Sequence, residues 1–213
     1  RWLASLGLGH VGGLVLVLRA AVLGASIVAR GRFRAEEVAR LLDVGAVTHA
    51  SFVPTMLAQI LDLRGDRPAP ALRCVLIGGA HCPRSLVDRA LAAGLPLALT
   101  YGMSETTSQV ATAAPPLTRA KPGTVGPPIA GVEIRVDDAG EVLVRGATVA
   151  AGYLGAEFAL TGEGWLRTGD LGELDADGDL WITGRRSERI ITGGVNVDPV
   201  EVEDAVRMHP RVV

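Results

Sequence analysis

From residue 26 to about residue 114, short apolar runs alternate with helical stretches, and few architectures accept that alternation. Ser26-Ile27-Val28, Val47 to Val53, Leu72 to Ile77 and Leu95 to Thr100 read as strands. Between them, Ala35 to Leu42 is helical with Glu36 and Glu37 in the first turn, where the helix dipole favours acids. Pro54 opens a second helix through Leu63, since proline suits the first helical turn. Pro83 to Ala93 is a third, stopped by Gly94. Apolar strands separated by helices predict an α/β fold with a mainly parallel sheet and helical crossovers.

The stretch Val11 to Ala29 is apolar enough to raise the question of a membrane span, but Arg19 and Gly24 interrupt it. A spanning helix needs about 20 apolar residues with charges kept to its ends. A buried helix to about Leu23 followed by a short strand fits better, so no span is expected. The 213 residues are 48% hydrophobic and 21% charged, enough for a packed core and against disorder. A net charge of -2, with both signs spread along the chain, leaves no footprint for nucleic acid or an anionic membrane. Cys74 and Cys82 are too few for a disulfide framework or a zinc site, which suits a reducing cytoplasm. Lys121 is the only lysine, so any lysine chemistry uses that residue or comes from elsewhere. The chain begins at Arg1 and ends in mid-pattern at Pro210-Arg211-Val212-Val213, and it reads as an internal fragment.

After Lys121 the texture changes. Pro122-Gly123 and Gly126-Pro127-Pro128 precede short, closely spaced strands at Val132–Val136, Glu141–Arg145, Leu171–Leu174 and Leu180–Thr183. Asp137-Asp138-Ala139-Gly140 and Asp175-Ala176-Asp177-Gly178 are turn signals between strand pairs. The expected organisation is an α/β part over 1–120 and a small antiparallel β subdomain over 121–184. Over 185–213 follow a hinge and the start of a truncated α+β subdomain, whose first helix is Pro199 to Met208.

Two glycine-bearing turns at strand ends could meet a ligand. Ile77-Gly78-Gly79-Ala80 lets a ligand approach the backbone at the carboxyl end of a strand, where open parallel sheets bind. A ligand-free tight turn explains it equally well. Thr100-Tyr101-Gly102-Met103-Ser104-Glu105-Thr106-Thr107 places an aromatic face, a hydroxyl and a carboxylate within five positions. These could stack on a base, donate to a phosphate oxygen and hold Mg²⁺, respectively. The alternative is a capped turn, with Ser104 as N-cap and Glu105 in the first helical turn. No Gly-x-Gly-x-x-Gly opens a helix, which removes a Rossmann dehydrogenase.

The second segment does not stand alone. Gly140-Glu141-Val142-Leu143-Val144-Arg145-Gly146, Gly152-Tyr153-Leu154, Trp165-Leu166-Arg167-Thr168-Gly169-Asp170 and Gly184-Arg185 follow it in order. Together with Tyr101-Gly102-Met103-Ser104-Glu105 this series resembles the adenylate-forming superfamily of acyl-CoA ligases, luciferases and peptide-synthetase adenylation domains. The resemblance runs from His10 to Val213. It implies ATP-dependent activation of a carboxylic acid through an acyl-adenylate, followed by attack of a thiol, usually that of coenzyme A. It implies that Tyr101 stacks on adenine beside Gly102, that Ser104 contacts phosphate, and that Glu105 is the Mg²⁺ ligand. Gly78, Gly79 and Ala80 would lie along the adenine, and Asp170 would accept the ribose hydroxyls with Arg185 assisting. By the same resemblance Ser187 is the hinge, Gly193 and Gly194 face the thiol tunnel, and His10 lines the acyl pocket.

Within the superfamily, the run Gly184-Arg185-Arg186-Ser187 through Gly193-Gly194-Val195-Asn196-Val197-Asp198-Pro199 resembles the branch that ligates 2-succinylbenzoate to coenzyme A in menaquinone biosynthesis. So does Tyr101 to Gln109. His81-Cys82 and Asp198 depart from the usual pattern. Fatty-acyl or cinnamoyl-type ligases, or a truncated AMP-binding module without turnover, are the alternatives. Family members carry a Ser/Thr/Gly-rich phosphate loop with a lysine upstream of the His10 region and a second lysine near the C-terminus. Lys121 matches neither. The expected ligands are therefore ATP, Mg²⁺, coenzyme A and a small carboxylic acid, in a cytoplasmic enzyme.

Overall fold

In the computed structural model the expected alternation becomes a six-stranded sheet. The structure describes residues 1–156, 158, 160–192, 195–207, 209 and 212. The sheet contains β1 (Trp2–Ala4), β2 (Ile27–Ala29), β3 (His49–Phe52), β4 (Cys74–Ile77), β5 (Leu97–Met103) and β6 (Ser108–Ala113). Helices α1 (Val11–Leu23), α2 (Ala35–Asp43), α3 (Pro54–Arg64) and α4 (Arg84–Ala92) connect the first five strands in turn. The spatial order is β2-β1-β3-β4-β5-β6, with β1 to β5 parallel and β6 antiparallel to β5. Because the crossovers leave β1 in one direction and β3 in the other, the order reverses between these neighbours. All five parallel strands therefore present their carboxyl ends along one edge, where such sheets bind ligands. The core beneath is apolar and tightly closed, with Leu57, Ile60, Val75, Ile77, Val87 and Leu97 buried.

α1 buries Gly13 and Leu16 but leaves Leu18, Val22 and Leu23 exposed. It has 13 residues, and among the described residues no helix is long and apolar enough to cross a membrane.

A short helix α5 (Pro115–Ala120) leads to a second, antiparallel sheet of β7 (Val132–Val136), β8 (Glu141–Gly146), β9 (Leu166–Leu174) and β10 (Leu180–Arg185), in the order β10-β9-β8-β7. The proline- and glycine-rich stretch between them does not hang free. The Leu180 N–H donates to the Gly126 carbonyl at 2.9 Å and the Ile129 N–H to the Val110 carbonyl at 2.9 Å, so it stitches one sheet to the other. Val110 and Ala111 of β6 share a core with Val142, Val144 and Leu180. A two-stranded hairpin, β11 (Ile190–Thr192) and β12 (Val195–Val197), and α6 (Pro199–Arg207) follow.

Two expectations need correction. The segment Tyr101-Gly102-Met103 is not a turn; it is the end of β5, paired with β6. The strand expected at Leu171–Leu174 begins at Leu166, so Thr168-Gly169-Asp170 lies within it.

Lys121 has a structural role. Its ammonium donates to Asp175 at 2.8 Å, Asp177 at 2.5 Å and Asp179 at 2.7 Å, one carboxylate for each of its N–H groups. The clasp ties the end of α5 to the β9–β10 turn. The Lys121 ammonium, helped by the Trp181 N–H, holds the Asp175 carboxyl far below the usual carboxylate range. Hydrogen bonds to Asp175, Asp177 and Asp179 hold Lys121 well above the usual lysine range. A depressed carboxyl stabilises the fold above its unfolded pKa, near 4, and loses that as pH falls; a raised ammonium stabilises below its unfolded pKa, near 10, and loses that as pH rises. Lys121→Met should therefore lower the thermal midpoint most between about pH 4 and pH 10, with the gap to the unsubstituted chain closing on either side. Melts of both chains across pH check this. A gap independent of pH would mean the aliphatic stem, not the charge, carries the effect.

Candidate active site

The carboxyl edge of the large sheet carries most of the residues singled out by sequence. The loop after β1 holds His10, which stands exposed at the N-cap position of α1. The loop after β4 holds Gly78, Gly79 and Ala80, and Ser104 and Glu105 follow directly on the end of β5. Parallel pairing alone brings these loops to one edge. Among the described residues, no hydrogen bond joins the His10 ring to the other candidate residues.

The β5 end is held by close backbone contact. The pairing with β6 shifts register between Tyr101 and Gly102. A β-carbon at Gly102 would run into the Ser108 carbonyl, so glycine is required there by space. Beyond it, Ser104–Thr106 forms one 3₁₀ turn. Its N-cap position is Met103, not Ser104 as the capped-turn alternative had it. The buried Thr106 hydroxyl accepts the Met103 N–H at 3.1 Å and faces the Ser108 carbonyl at 3.0 Å. Ser104 is left exposed and uncommitted to any cap. Thr107 and Ser108 then take φ of 53° and 95°, a left-handed pair without glycine. Such backbone persists only where its surroundings over-determine it, and it gathers at functional sites. Here the fixing groups come from the 147–153 loop. The Thr107 hydroxyl donates to the Thr148 carbonyl at 2.9 Å, the Ala150 N–H donates to the Glu105 carbonyl at 2.8 Å, and the Tyr153 hydroxyl donates to Glu105 Oε1. Tyr153 in turn meets Phe158 edge-on at 5.1 Å.

Asp170 reaches the same region from the other sheet by a bulge. Glu141 of β8 pairs with Leu171 and Leu143 pairs with Arg167, so Thr168, Gly169 and Asp170 all stand opposite Val142. The Thr168 hydroxyl donates to the Val142 carbonyl at 2.7 Å and accepts the Asp170 N–H at 3.1 Å. Gly169 takes φ of 74°, which a side chain resists, and this turns Asp170 out of the ladder. Its carboxylate then accepts the Tyr101 hydroxyl at 2.7 Å and lies 3.1 Å from Arg185 Nε. Burial holds the Asp170 carboxyl above the usual carboxylate range, although the Tyr101 hydrogen bond and Arg185 pull it down. Burial first, then the nearby Asp170 charge, drives the Tyr101 phenol far above its usual range, so it remains a donor.

The structure thus brings together Tyr101, Asp170 and Arg185, and separately Glu105 and Tyr153. An open cleft of about 700 Å³ is lined by Glu141, Arg167, Thr168, Gly169, Arg185, Arg186 and Ser187. Ser187 sits exposed in the 3₁₀ turn Arg186–Glu188 that leads from β10 to β11. Gly193 and Gly194 lie outside the described residues. His81, one of the departures, lies 3.3 Å from Asp204 of α6. Cys82 is pushed up to about 12 by burial and by Asp204, which leaves it an inert thiol.

The residues present suit the expected groups. Glu105 offers Oε2 free of the Tyr153 bond, an oxygen of the hard kind that Mg²⁺ prefers. Each Asp170 oxygen has one neighbour and a lone pair to spare for a hydroxyl. Tyr153, Thr106 and Glu141 escaped the sequence reading as functional residues. Tyr153 and Glu141 lay within quoted motifs, but only tertiary contacts reveal what they hold.

A family model described as "AMP-binding enzyme" matches residues 1–154. A 2-succinylbenzoate–CoA ligase of Bacillus licheniformis is 41% identical over the whole of this chain and 47% of its own length. The o-succinylbenzoate CoA synthetase of Bacillus subtilis, solved with the acyl-adenylate OSB-AMP, superposes with a TM-score of 0.92 at 36% identity, covering 100% of this chain and 46% of that one. The same enzyme with ATP and magnesium gives 0.90 at 36% identity, covering 100% and 47%. The chain therefore spans about half the length of the curated relatives it matches.

Proposed function

The chain belongs to the AMP-binding enzyme family, and from that premise we propose that it is the nucleotide-holding part of a 2-succinylbenzoate–CoA ligase. The observation that carries this reading is the joining of Tyr101, Asp170 and Arg185 from two sheets, beside Glu105 at the carboxyl edge. In the proposed reaction the carboxylate of the acid attacks the α-phosphate of ATP and pyrophosphate leaves. The thiol of coenzyme A then attacks the acyl carbon and AMP leaves.

Tyr101 presents its ring to adenine, with Gly78, Gly79 and Ala80 lying along the base and Gly102 next to Tyr101. Asp170 takes the ribose hydroxyls, and Arg185 keeps that carboxylate in place and charged. The Ser104 hydroxyl, free of any cap, donates to phosphate, and Glu105 holds Mg²⁺. That metal, when bound, neutralises charge on the phosphates as pyrophosphate departs. His10 lines the acyl pocket, Ser187 is the hinge, and Gly193 and Gly194 serve the thiol step. The cytoplasm, where ATP and coenzyme A are supplied, is the proposed location.

The test is a protein of the relatives' full length carrying this chain, offered ATP, coenzyme A and a panel of acids. Selective formation of AMP and the thioester from 2-succinylbenzoate is expected. A preference for fatty or cinnamic acids would remove the substrate assignment and leave the two-step chemistry. Failure with every acid would remove both.

A further inference from the structure

Glu141 is a carboxylate that the proposed chemistry does not use, yet it is 2% exposed, and a buried charge is expensive unless fully paired. Its partners are informative. Oε1 accepts the Gly169 N–H at 3.0 Å, at the turned residue that aims Asp170. Oε2 accepts Arg167 of β9, which also reaches Asp137 at 3.1 Å. Oε2 also accepts Arg186 Nη1 at 3.1 Å, the first residue of the exposed turn joining β10 to the β11–β12 and α6 unit.

Arg167 is shared between Glu141 and Asp137, so Arg186 supplies the second positive charge that balances this pair of carboxylates. It ties an otherwise solvent-facing junction, with the Arg186 side chain 62% exposed, to a buried anchor. A surface pair is worth little, but one whose acid is desolvated is screened less by water and salt. The same carboxylate therefore holds two things: the backbone that orients Asp170, and the connection on which the C-terminal unit is carried.

We propose that Glu141 is a positioning residue that couples the 186–188 junction to the Asp170 bulge, so that nucleotide bound at Asp170 orders the junction and an ordered junction favours nucleotide. Coupling of this kind is reciprocal and commonly amounts to about 5-fold or more in an equilibrium constant. The inference rests on the proposed nucleotide site for one half of the coupling and on the ion-pair geometry alone for the other.

Amide hydrogen exchange of peptides spanning residues 185–189 tests it, with the 213-residue chain free and saturated with AMP, alongside AMP affinity by calorimetry. In the unsubstituted chain, AMP should slow exchange of the junction about 5-fold. Arg186→Gln should speed exchange in the free chain by a similar factor and abolish the response to AMP, while AMP affinity stays within about 5-fold. Glu141→Gln should lose both the junction's protection and most AMP affinity. Because Glu141→Gln removes a buried charge and can unfold the chain, Arg186→Gln carries the decision. Junction exchange in Arg186→Gln that matches the unsubstituted chain, free or with AMP, overturns the proposal. If the unsubstituted chain binds no AMP, the nucleotide reading fails on its own, and unchanged free-chain exchange in Arg186→Gln still overturns the anchoring role.

Discussion

Glu105→Gln, in a protein of the relatives' full length carrying this chain, is expected to cut acyl-adenylate formation by about a hundredfold or more, while ATP affinity changes only a few-fold. The substitution is nearly isosteric, and the amide oxygen can still accept the Tyr153 hydroxyl, so the Ser104–Thr106 turn and the left-handed Thr107-Ser108 pair keep their supports. What disappears is one negative charge on the oxygen proposed for Mg²⁺. Loss of a single preorganised charge-stabilising group costs roughly 3 kcal/mol at a transition state, which sets the size of the effect. The adenine and ribose contacts proposed at Tyr101 and Asp170 do not use this carboxylate, so binding is expected to survive. Pyrophosphate exchange against acid and ATP reads the rate, and nucleotide titration reads the affinity. Exchange within a few-fold of the unsubstituted protein would remove Glu105 from the metal.

How much of this was legible in the sequence depends on the distance over which each feature is determined. The parallel strands and their helices were readable because local pattern fixes them: Val75, Ile77 and Leu97 lie in unbroken apolar runs, and Pro54 and Gly94 mark helix ends. Gly102 misled because glycine after an apolar run signals a turn, whereas here it permits close approach of the neighbouring strand. β6 escaped notice because Ser108-Gln109-Val110-Ala111-Thr112-Ala113 is half polar, and only pairing with β5 makes it a strand. Tyr101 and Asp170 were named from the resemblance, but their mutual hydrogen bond spans 69 positions and depends on a bulge with no local signature. The Lys121 clasp is of the same kind. The turn at Asp175 to Gly178 was readable, but its lysine lies 54 positions away from Asp175.

That clasp decides the second large expectation: the 213-residue chain by itself forms no acyl-CoA from any acid. The family resemblance implies a lysine on a phosphate loop and another that bridges carboxylate and α-phosphate during adenylation. This chain has one lysine, and its ammonium is spent on Asp175, Asp177 and Asp179. Moving it to a nucleotide would leave three carboxylates facing one another within 4.8 Å, an arrangement that repels strongly without a cation. Arginine cannot substitute simply, because Arg185, Arg186 and Arg167 are each committed to a carboxylate. A Ser/Thr/Gly-rich loop of backbone N–H groups around the phosphates is likewise absent from the sequence, and such loops supply much of the binding and charge stabilisation at a triphosphate. Weak AMP binding through Tyr101 and Asp170 should remain, since those contacts are internal to the chain. The measurement is thioester formation by the purified chain with ATP, Mg²⁺, coenzyme A and 2-succinylbenzoate, beside AMP titration. Sustained turnover would mean that a group within these residues replaces both lysines, and the division of labour proposed for the site would have to be redrawn.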